Sequence, residues 1–110
     1  MADDTPDGSE IVERFKAPAT IRKDFTQLIL QTGGAIWTRP GLASAQRSIA
    51  TIAVLVALCR PDELREHIEI GLTNGLTQQE ICELILHCAM YAGFPAAVRA
   101  MEVAHDVFGE

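Results

Sequence analysis

Two glutamate–histidine pairs in this 110-residue sequence have a spacing that suits acid–base chemistry. Glu63 precedes His67 by four residues, and Glu83 precedes His87 by four. On a helix each carboxylate would therefore lie one turn from its imidazole. A histidine oriented by a carboxylate is a common general acid or base. Both pairs also have a structural interpretation, with His67 bonded to a core carbonyl and His87 in a partly exposed ion pair.

A second group of residues suits the binding of an anionic or ring-shaped ligand. Arg47 opens an apolar segment, where a guanidinium needs an anionic partner. That partner is either a structural carboxylate, such as Glu63, or a carboxylate of a substrate. Trp37 and Arg39 lie in a segment predicted to be irregular, and Tyr91 lies near a predicted helix end. Such segments often carry binding residues, although Trp37 and Tyr91 are equally suited to covering the core.

The cysteines and histidines show no ligand or redox spacing. Cys59, Cys82 and Cys88 are an odd number without a CxxC pair, which favours a reducing compartment and apolar packing roles. Neither HxxxH nor HExxH occurs among the three histidines. The sequence therefore predicts no metal site.

Charge and hydropathy narrow the classes of partner. The net charge is −6, from 9 basic and 15 acidic residues, and no basic stripe is present, so we expect no nucleic acid partner. Residues 1–10 are acidic and polar, the reverse of a secretory leader. The longest apolar run, 49–59, is too short to span a bilayer. We therefore expect a cytoplasmic protein that does not enter membranes.

Composition and periodicity predict an all-α, single-domain helical bundle at 16–110 after a disordered tail at 1–15. Nearly half of the residues are hydrophobic but only 5% are aromatic, so Leu, Ile, Val and Ala build the core, and Ala and Leu favour helices. The predicted helices cover about 18–31, 44–59, 61–73, 78–91 and 95–108. Their starts rest on Pro61 and Pro95 at first helical positions and on a capping box at Thr77 and Glu80.

Three further predictions concern helix ends and faces. Glycines at 33 and 34 are expected to end the first helix, leaving 35–42 irregular. The second helix is apolar on nearly all sides, which predicts burial within the chain and beneath a second copy of it. The fifth helix is expected to bury a stripe formed by Ala97, Val98, Met101, Ala104 and Phe108.

Five segments, taken together and in this order, resemble the carboxymuconolactone decarboxylase family. They are 36–42 (IWTRPGL), 47–53 (RSIATIA), 63–67 (ELREH), 71–77 (GLTNGLT) and 91–97 (YAGFPAA). The resemblance covers about residue 20 to the C-terminus. It implies the all-helical fold of the alkylhydroperoxidase D group and a homo-oligomer, a trimer or hexamer.

The resemblance also implies a carboxy-lyase of the beta-ketoadipate pathway of aromatic hydrocarbon catabolism. The implied reaction is the cofactor-free conversion of 4-carboxymuconolactone, or a related γ-lactone carboxylate, to 3-oxoadipate enol-lactone. In this interpretation His67, oriented by Glu63, supplies a proton or an oxyanion hydrogen bond, and Arg47 binds a carboxylate or the oxyanion. The expected substrate-binding residues are Trp37, Arg39, His87 and Tyr91.

Two alternatives stay open at the level of sequence. Peroxidase members of the alkylhydroperoxidase D group carry a CxxC motif, a following histidine and an upstream glutamate. Here His67 matches the histidine, but Arg60 and Glu63 replace the cysteines and Ser48 replaces the glutamate, which argues against an antioxidant enzyme. The chain also departs from the decarboxylases, which commonly have an aromatic–glycine pair at 33–34 and a glycine at 59. The first departure keeps a non-catalytic oligomeric family member under consideration.

Overall fold

A computed structural model describes residues 16–110, and five α-helices with no strand make up the regular structure of that range. The all-α prediction is therefore confirmed. The predicted tail at 1–15, including the polar start at 1–10, lies outside the described residues. Within 16–110 no helix is long and apolar enough to cross a membrane. The helices are α1 (Ala19–Trp37), α2 (Ser44–Ala57), α3 (Pro61–Thr73), α4 (Gln78–Ala92) and α5 (Phe94–Val107).

The chain divides into two compact units, of which the first ends at Gly41 and the second begins at Leu42. Helix α1 belongs to the first unit, and α2 to α5 belong to the second. The core described below lies wholly in the second unit. The single domain expected at 16–110 stays a prediction.

Helix α1 is longer than the sequence suggested. It continues through Gly33 and Gly34 and ends at Trp37, so the prediction of a helix end at 32–34 was wrong. A glycine inside a helix costs about 1 kcal/mol relative to alanine, which is too little to stop a helix by itself. Pro40 ends the helix instead, because a proline disfavours helical geometry at the residue before it.

The starts of α3 and α4 follow local rules and confirm the sequence analysis, whereas α5 begins at Phe94, one residue before the predicted Pro95. Pro61 is the first residue of α3, where its missing N–H removes no helical hydrogen bond. At the start of α4, Thr77 Oγ1 accepts from the Glu80 amide at 3.0 Å, while Glu80 Oε1 accepts from the Thr77 amide at 2.9 Å. This capping box satisfies two amides that the helix leaves unpaired. Gly93, with φ of 94°, separates α4 from α5.

The core of the second unit consists of aliphatic side chains from α2 to α5 and from the turn between α3 and α4. Its members are Ile52, Val56, Leu64, Ile68, Leu76, Ile81, Ile85, Ala89, Ala97, Ala100, Val103 and Ala104. Helix α2 contributes only one face to this core. Ile49, Val54 and Leu58 are 41%, 54% and 59% exposed, so the chain itself covers one face of this apolar helix, and its burial beneath a second copy stays a prediction.

Helix α5 packs through its small residues. Ala96, Ala97, Ala100, Val103 and Ala104 are buried, whereas Met101 and Phe108 are half-buried. Val98 is 55% exposed, so its place in the predicted stripe was wrong. The alanine face is buried because small side chains let helix axes approach closely. Sequence periodicity did not distinguish this face from the neighbouring face that carries Val98.

Two glycines in helices should respond in opposite ways to the same substitution. A Cβ at Gly33 would meet no atom within 4 Å, but one at Gly71 would lie 3.2 Å from the terminal methyl carbons of Ile52 and Leu76. We expect Gly33→Ala to raise the free energy of unfolding by about 0.5–1 kcal/mol. Gly71→Ala should lower it by about 1–3 kcal/mol through overpacking. Urea denaturation would measure both, and a stabilising Gly71→Ala would contradict the described packing.

Cys59 lies just after α2 with a positive φ of 55°, a region that costs a non-glycine residue about 1–2 kcal/mol. This conformation explains the glycine that the resembling family commonly has there. Cys59→Gly should therefore stabilise the fold by about 1 kcal/mol in urea denaturation. Cys82→Gly, the same change within α4, should destabilise by a similar amount. Equal destabilisation by both would show that residue 59 is not left-handed in solution.

Candidate active site

Helices α2 and α3 approach each other closely where they cross, and this crossing bears on the predicted site. Only three residues join the two helices, so they form an antiparallel hairpin. Gly71 of α3 faces α2, and the position of its missing Cβ is 3.7 Å from Cβ of Ser48. Ser48 is 0% exposed, and its Oγ accepts a hydrogen bond of 3.0 Å from Nδ2 of Asn74, the residue that caps α3. Breaking such a bond and leaving a buried polar group costs about 1–3 kcal/mol.

Arg47 and His67 lie beside this crossing. Arg47 immediately precedes Ser48 on α2, and His67 lies one turn before Gly71 on α3. Because the hairpin is antiparallel and Ser48 faces Gly71, His67 lies opposite the next turn of α2, about one helical turn from Arg47. Thr51 in that turn donates its hydroxyl to the Arg47 carbonyl at 2.9 Å. The structure therefore brings the two predicted residues to neighbouring turns of packed helices.

Both side chains are half-buried. The Nε atom of Arg47 and the Nδ1 atom of His67 each expose less than 1 Å² to solvent. In such surroundings a guanidinium or imidazole interacts more strongly with an anion than it would in water, because solvent screens the charge less. A guanidinium can also hold a carboxylate through two parallel hydrogen bonds. The site is therefore chemically suited to a small carboxylate.

Glu63 lies one turn before His67 on α3, as predicted, but it is exposed. The orientation of His67 by Glu63 stays a prediction.

Trp37 and Arg39 belong to the first unit. Trp37 is the last residue of α1 rather than part of an irregular loop, and it is half-buried, whereas Arg39 is exposed. Their roles in binding stay predictions.

His87 and Tyr91 lie on the outer face of α4, and their rings are in tilted contact with centroids 5.4 Å apart. Tyr91 is 78% exposed, so it neither covers the core nor occupies a cleft of the second unit. His87 lines an open pocket of about 850 Å³ whose other walls include Ile49, Met90 and Phe94. Glu80 and Glu83 also line it, which disfavours a dianionic ligand. His67 and Arg47 do not line this pocket.

A second open pocket, of about 680 Å³, lies between α4, α5 and the start of α3. Its floor is apolar, and its rim carries two ion pairs, Arg65–Asp106 at 3.2 Å and Arg99–Glu102 at 3.0 Å. Both arginines are exposed, so solvent weakens their pull on an anion. The Arg47–His67 region is therefore the better candidate for carboxylate chemistry.

Sequence reasoning missed the Ser48–Asn74 pair. In the sequence, Ser48 stands out only as a replacement for a glutamate, and Asn74 only as part of the 71–77 segment. The available signal was a serine on the inward face of an otherwise aliphatic helix, since such a hydroxyl must find a partner when buried. The identity of that partner, 26 residues further along the chain, was not readable from local spacing.

The sequence model of the carboxymuconolactone decarboxylase family matches residues 23–106. The match extends from within α1 to near the end of α5 and covers most of the chain. The five helices and the family match agree with the all-helical fold that the five sequence segments implied. The chain belongs to the carboxymuconolactone decarboxylase family.

Three relatives are similar to the chain. The 4-carboxymuconolactone decarboxylase of Acinetobacter baylyi is 51% identical over 87 residues, which are 78% of this chain and 65% of that protein. The chain thus spans slightly less than two thirds of that relative. The nitrosuccinic acid decarboxylase of Metarhizium robertsii is 35% identical over 105 residues, 94% of this chain and 73% of that protein. An uncharacterized protein of Paracoccus denitrificans is 35% identical over 80 residues, 70% of this chain and 59% of that protein.

The three cysteines are free thiols in different surroundings. Cys59 is exposed and Cys88 is half-buried, and burial raises the pKa of the Cys88 thiol. A raised pKa leaves less of the reactive thiolate at neutral pH, so Cys88 should react only as the pH rises towards that pKa.

We expect iodoacetamide at pH 7.5 to alkylate native Cys59 at least about tenfold faster than Cys88. Peptide mass spectrometry of timed samples would measure both rates in one reaction. The same experiment in urea is the control, because unfolding should make the two rates similar. Equal rates in the native protein would contradict the burial of Cys88.

Proposed function

We propose that the chain is a carboxy-lyase that decarboxylates 4-carboxymuconolactone, or a related γ-lactone carboxylate, to 3-oxoadipate enol-lactone without a cofactor. The observation that carries the proposal is the half-buried Arg47–His67 pair beside the α2–α3 crossing. Similarity to two relatives named as decarboxylases, one at 51% and one at 35% identity, supports it.

The reaction sets three tasks for the protein. Loss of carbon dioxide leaves an electron pair that delocalises through the ring alkene onto the lactone carbonyl, giving a furanolate-like enolate. The protein must hold the substrate carboxylates, stabilise this oxyanion and deliver a proton to carbon. Each preorganised oxyanion donor is worth about 3 kcal/mol of transition-state stabilisation.

Arg47 and His67 divide these tasks in our proposal. The guanidinium of Arg47 binds a substrate carboxylate or the enolate oxygen, since it stays charged at all relevant pH values. His67 donates a proton or an oxyanion hydrogen bond, and Glu63 orients its ring. Trp37, Arg39, His87 and Tyr91 are proposed to bind the remainder of the substrate from a partner copy, across a subunit interface.

A homo-oligomer, a trimer or hexamer, is part of the proposal. The second unit exposes large apolar side chains on α4 and α5, including Leu86, Met90, Phe94 and Val98 at 55–69% exposure. Contiguous apolar surface of this kind typically marks an interface. Partner copies would then cover α4 and contribute to the walls of the site. The proposed setting is the cytoplasm, in the beta-ketoadipate pathway, and the free thiols suit that reducing compartment.

The two alternative functions have less support. A thiol-dependent antioxidant enzyme needs a reactive cysteine pair, but Cys82 and Cys88 share a helix without CxxC spacing and burial raises the pKa of Cys88. A non-catalytic oligomeric family member would keep the fold and bind ligands without turnover. Its sequence support was the glycine pair at 33–34, which lies within regular helix.

Activity should depend on the two residues beside the crossing. We expect the purified protein to consume 4-carboxymuconolactone, followed by ultraviolet absorbance, and His67→Ala to lower kcat/KM by about 10²–10⁴-fold. Arg47→Ala should lower it by about 10²–10³-fold. Nitrosuccinic acid, assayed in parallel, would show whether the site accepts the acid named for the 35% identical relative.

Matched control variants show whether a loss of activity is specific to Arg47 and His67 or follows from any loss of a histidine or arginine. His105 and Arg99 are exposed on α5, and His105→Ala and Arg99→Ala should retain kcat/KM within about twofold. Full turnover by His67→Ala would refute the assigned role of the imidazole. Absence of turnover in the wild-type protein, with binding retained, would favour the non-catalytic alternative.

A further inference from the structure

The Ser48–Asn74 hydrogen bond occupies an unusual place in the second unit. Ser48 and Thr26 are the buried polar residues in the described range, and Thr26 belongs to the first unit. Ser48 is 0% exposed and lies on the face of α2 that also carries the core residues Ile52 and Val56, where an alanine would need no hydrogen-bond partner. A hydrogen-bonded polar pair in such a place often fixes one particular arrangement of the packed elements.

Without this hydrogen bond, the surrounding contacts would fix the position of α3 along α2 only weakly. Gly71 presents no side chain towards α2, and the groups nearest to its missing Cβ are the Ile52 and Leu76 methyls and Ser48 itself. Aliphatic contacts are non-directional, so they resist a small slide or rotation of α3 along α2 only weakly. The 3.0 Å bond from Asn74 to Ser48 is directional and joins the start of α2 to the end of α3.

The register of these helices also sets the placement of the proposed catalytic groups. Arg47 adjoins Ser48, and His67 lies one turn from Gly71. A slide of α3 would change the separation between the guanidinium and the imidazole by a similar distance. Misplacement by about 1 Å in a catalytic arrangement costs up to about 10²-fold in rate.

We propose that Ser48 and Asn74 are positioning residues, which hold Arg47 and His67 at the separation that decarboxylation requires. This inference rests on the proposed function. Since Ser48 is fully buried, it acts through its neighbours and not by touching substrate. Asn74, half-buried at the end of α3, acts on His67 through the helix that it caps.

The test compares loss of the bond with an equal loss of stability elsewhere. Asn74→Ala and Ser48→Ala should each lower kcat by about 10–100-fold, with a smaller change in KM. The double variant should be no worse than the single variants, because each removes the same bond. Asn74→Asp should restore most of kcat, since its carboxylate can accept from the Ser48 hydroxyl. Thr77→Ala, which removes the cap of α4, is the matched control and should keep kcat within about twofold.

A second readout does not depend on turnover. The ring resonances of His67 in a ¹H–¹³C NMR spectrum should shift in Asn74→Ala and stay unchanged in Thr77→Ala, while those of exposed His105 should move in neither. Equal kcat in Asn74→Ala and Thr77→Ala, with an unmoved His67 resonance, would overturn the proposal.

If the wild-type protein has no activity, the proposed function fails, but the His67 resonances still decide whether Asn74 positions the ring. If Ser48→Ala does not fold, the Asn74 variants carry the same test.

Discussion

The close approach of α2 and α3 is the constraint on which the rest of the second unit depends. A glycine at 71 lets the helices approach until Ile52 and Leu76 methyls fill the space where a side chain would begin. Where the helices lie this close, a buried polar group needs a hydrogen-bond partner, because leaving it without one would destabilise the contact between them. Ser48 meets the requirement through Asn74, so a directional bond complements aliphatic contacts that are themselves non-directional.

This constraint links the fold to the proposed chemistry. The chain carries a net charge of −6, so its long-range field does not attract a dicarboxylate, and local positive charge must do so. The exposed Arg65 and Arg99 are engaged with carboxylates at the rim of a pocket. The Nε atom of Arg47 is shielded from solvent next to the helix crossing. Arg47 is therefore better placed to bind a substrate carboxylate than Arg65 and Arg99, because it is more deeply buried.

The parts of the fold that the sequence predicted are those set by short-range chemistry. Pro61 and the Thr77–Glu80 capping box gave helix starts because their effects act within one turn. The end of α1 was misplaced because helix interiors tolerate glycine at modest cost, and Val98 was misassigned because adjacent faces of α5 are both apolar. Family membership was predictable since it rests on several segments in register. The Ser48–Asn74 bond was not, since it joins residues that only tertiary packing brings together.

The most direct measurement of the central claim is a crystal structure of the protein with muconolactone, an analogue that lacks the departing carboxylate. The account predicts the analogue beside the α2–α3 crossing, with its carboxylate on the Arg47 guanidinium and its lactone oxygen within hydrogen-bond reach of His67. An analogue bound only in the His87 pocket on α4, away from both residues, would contradict it.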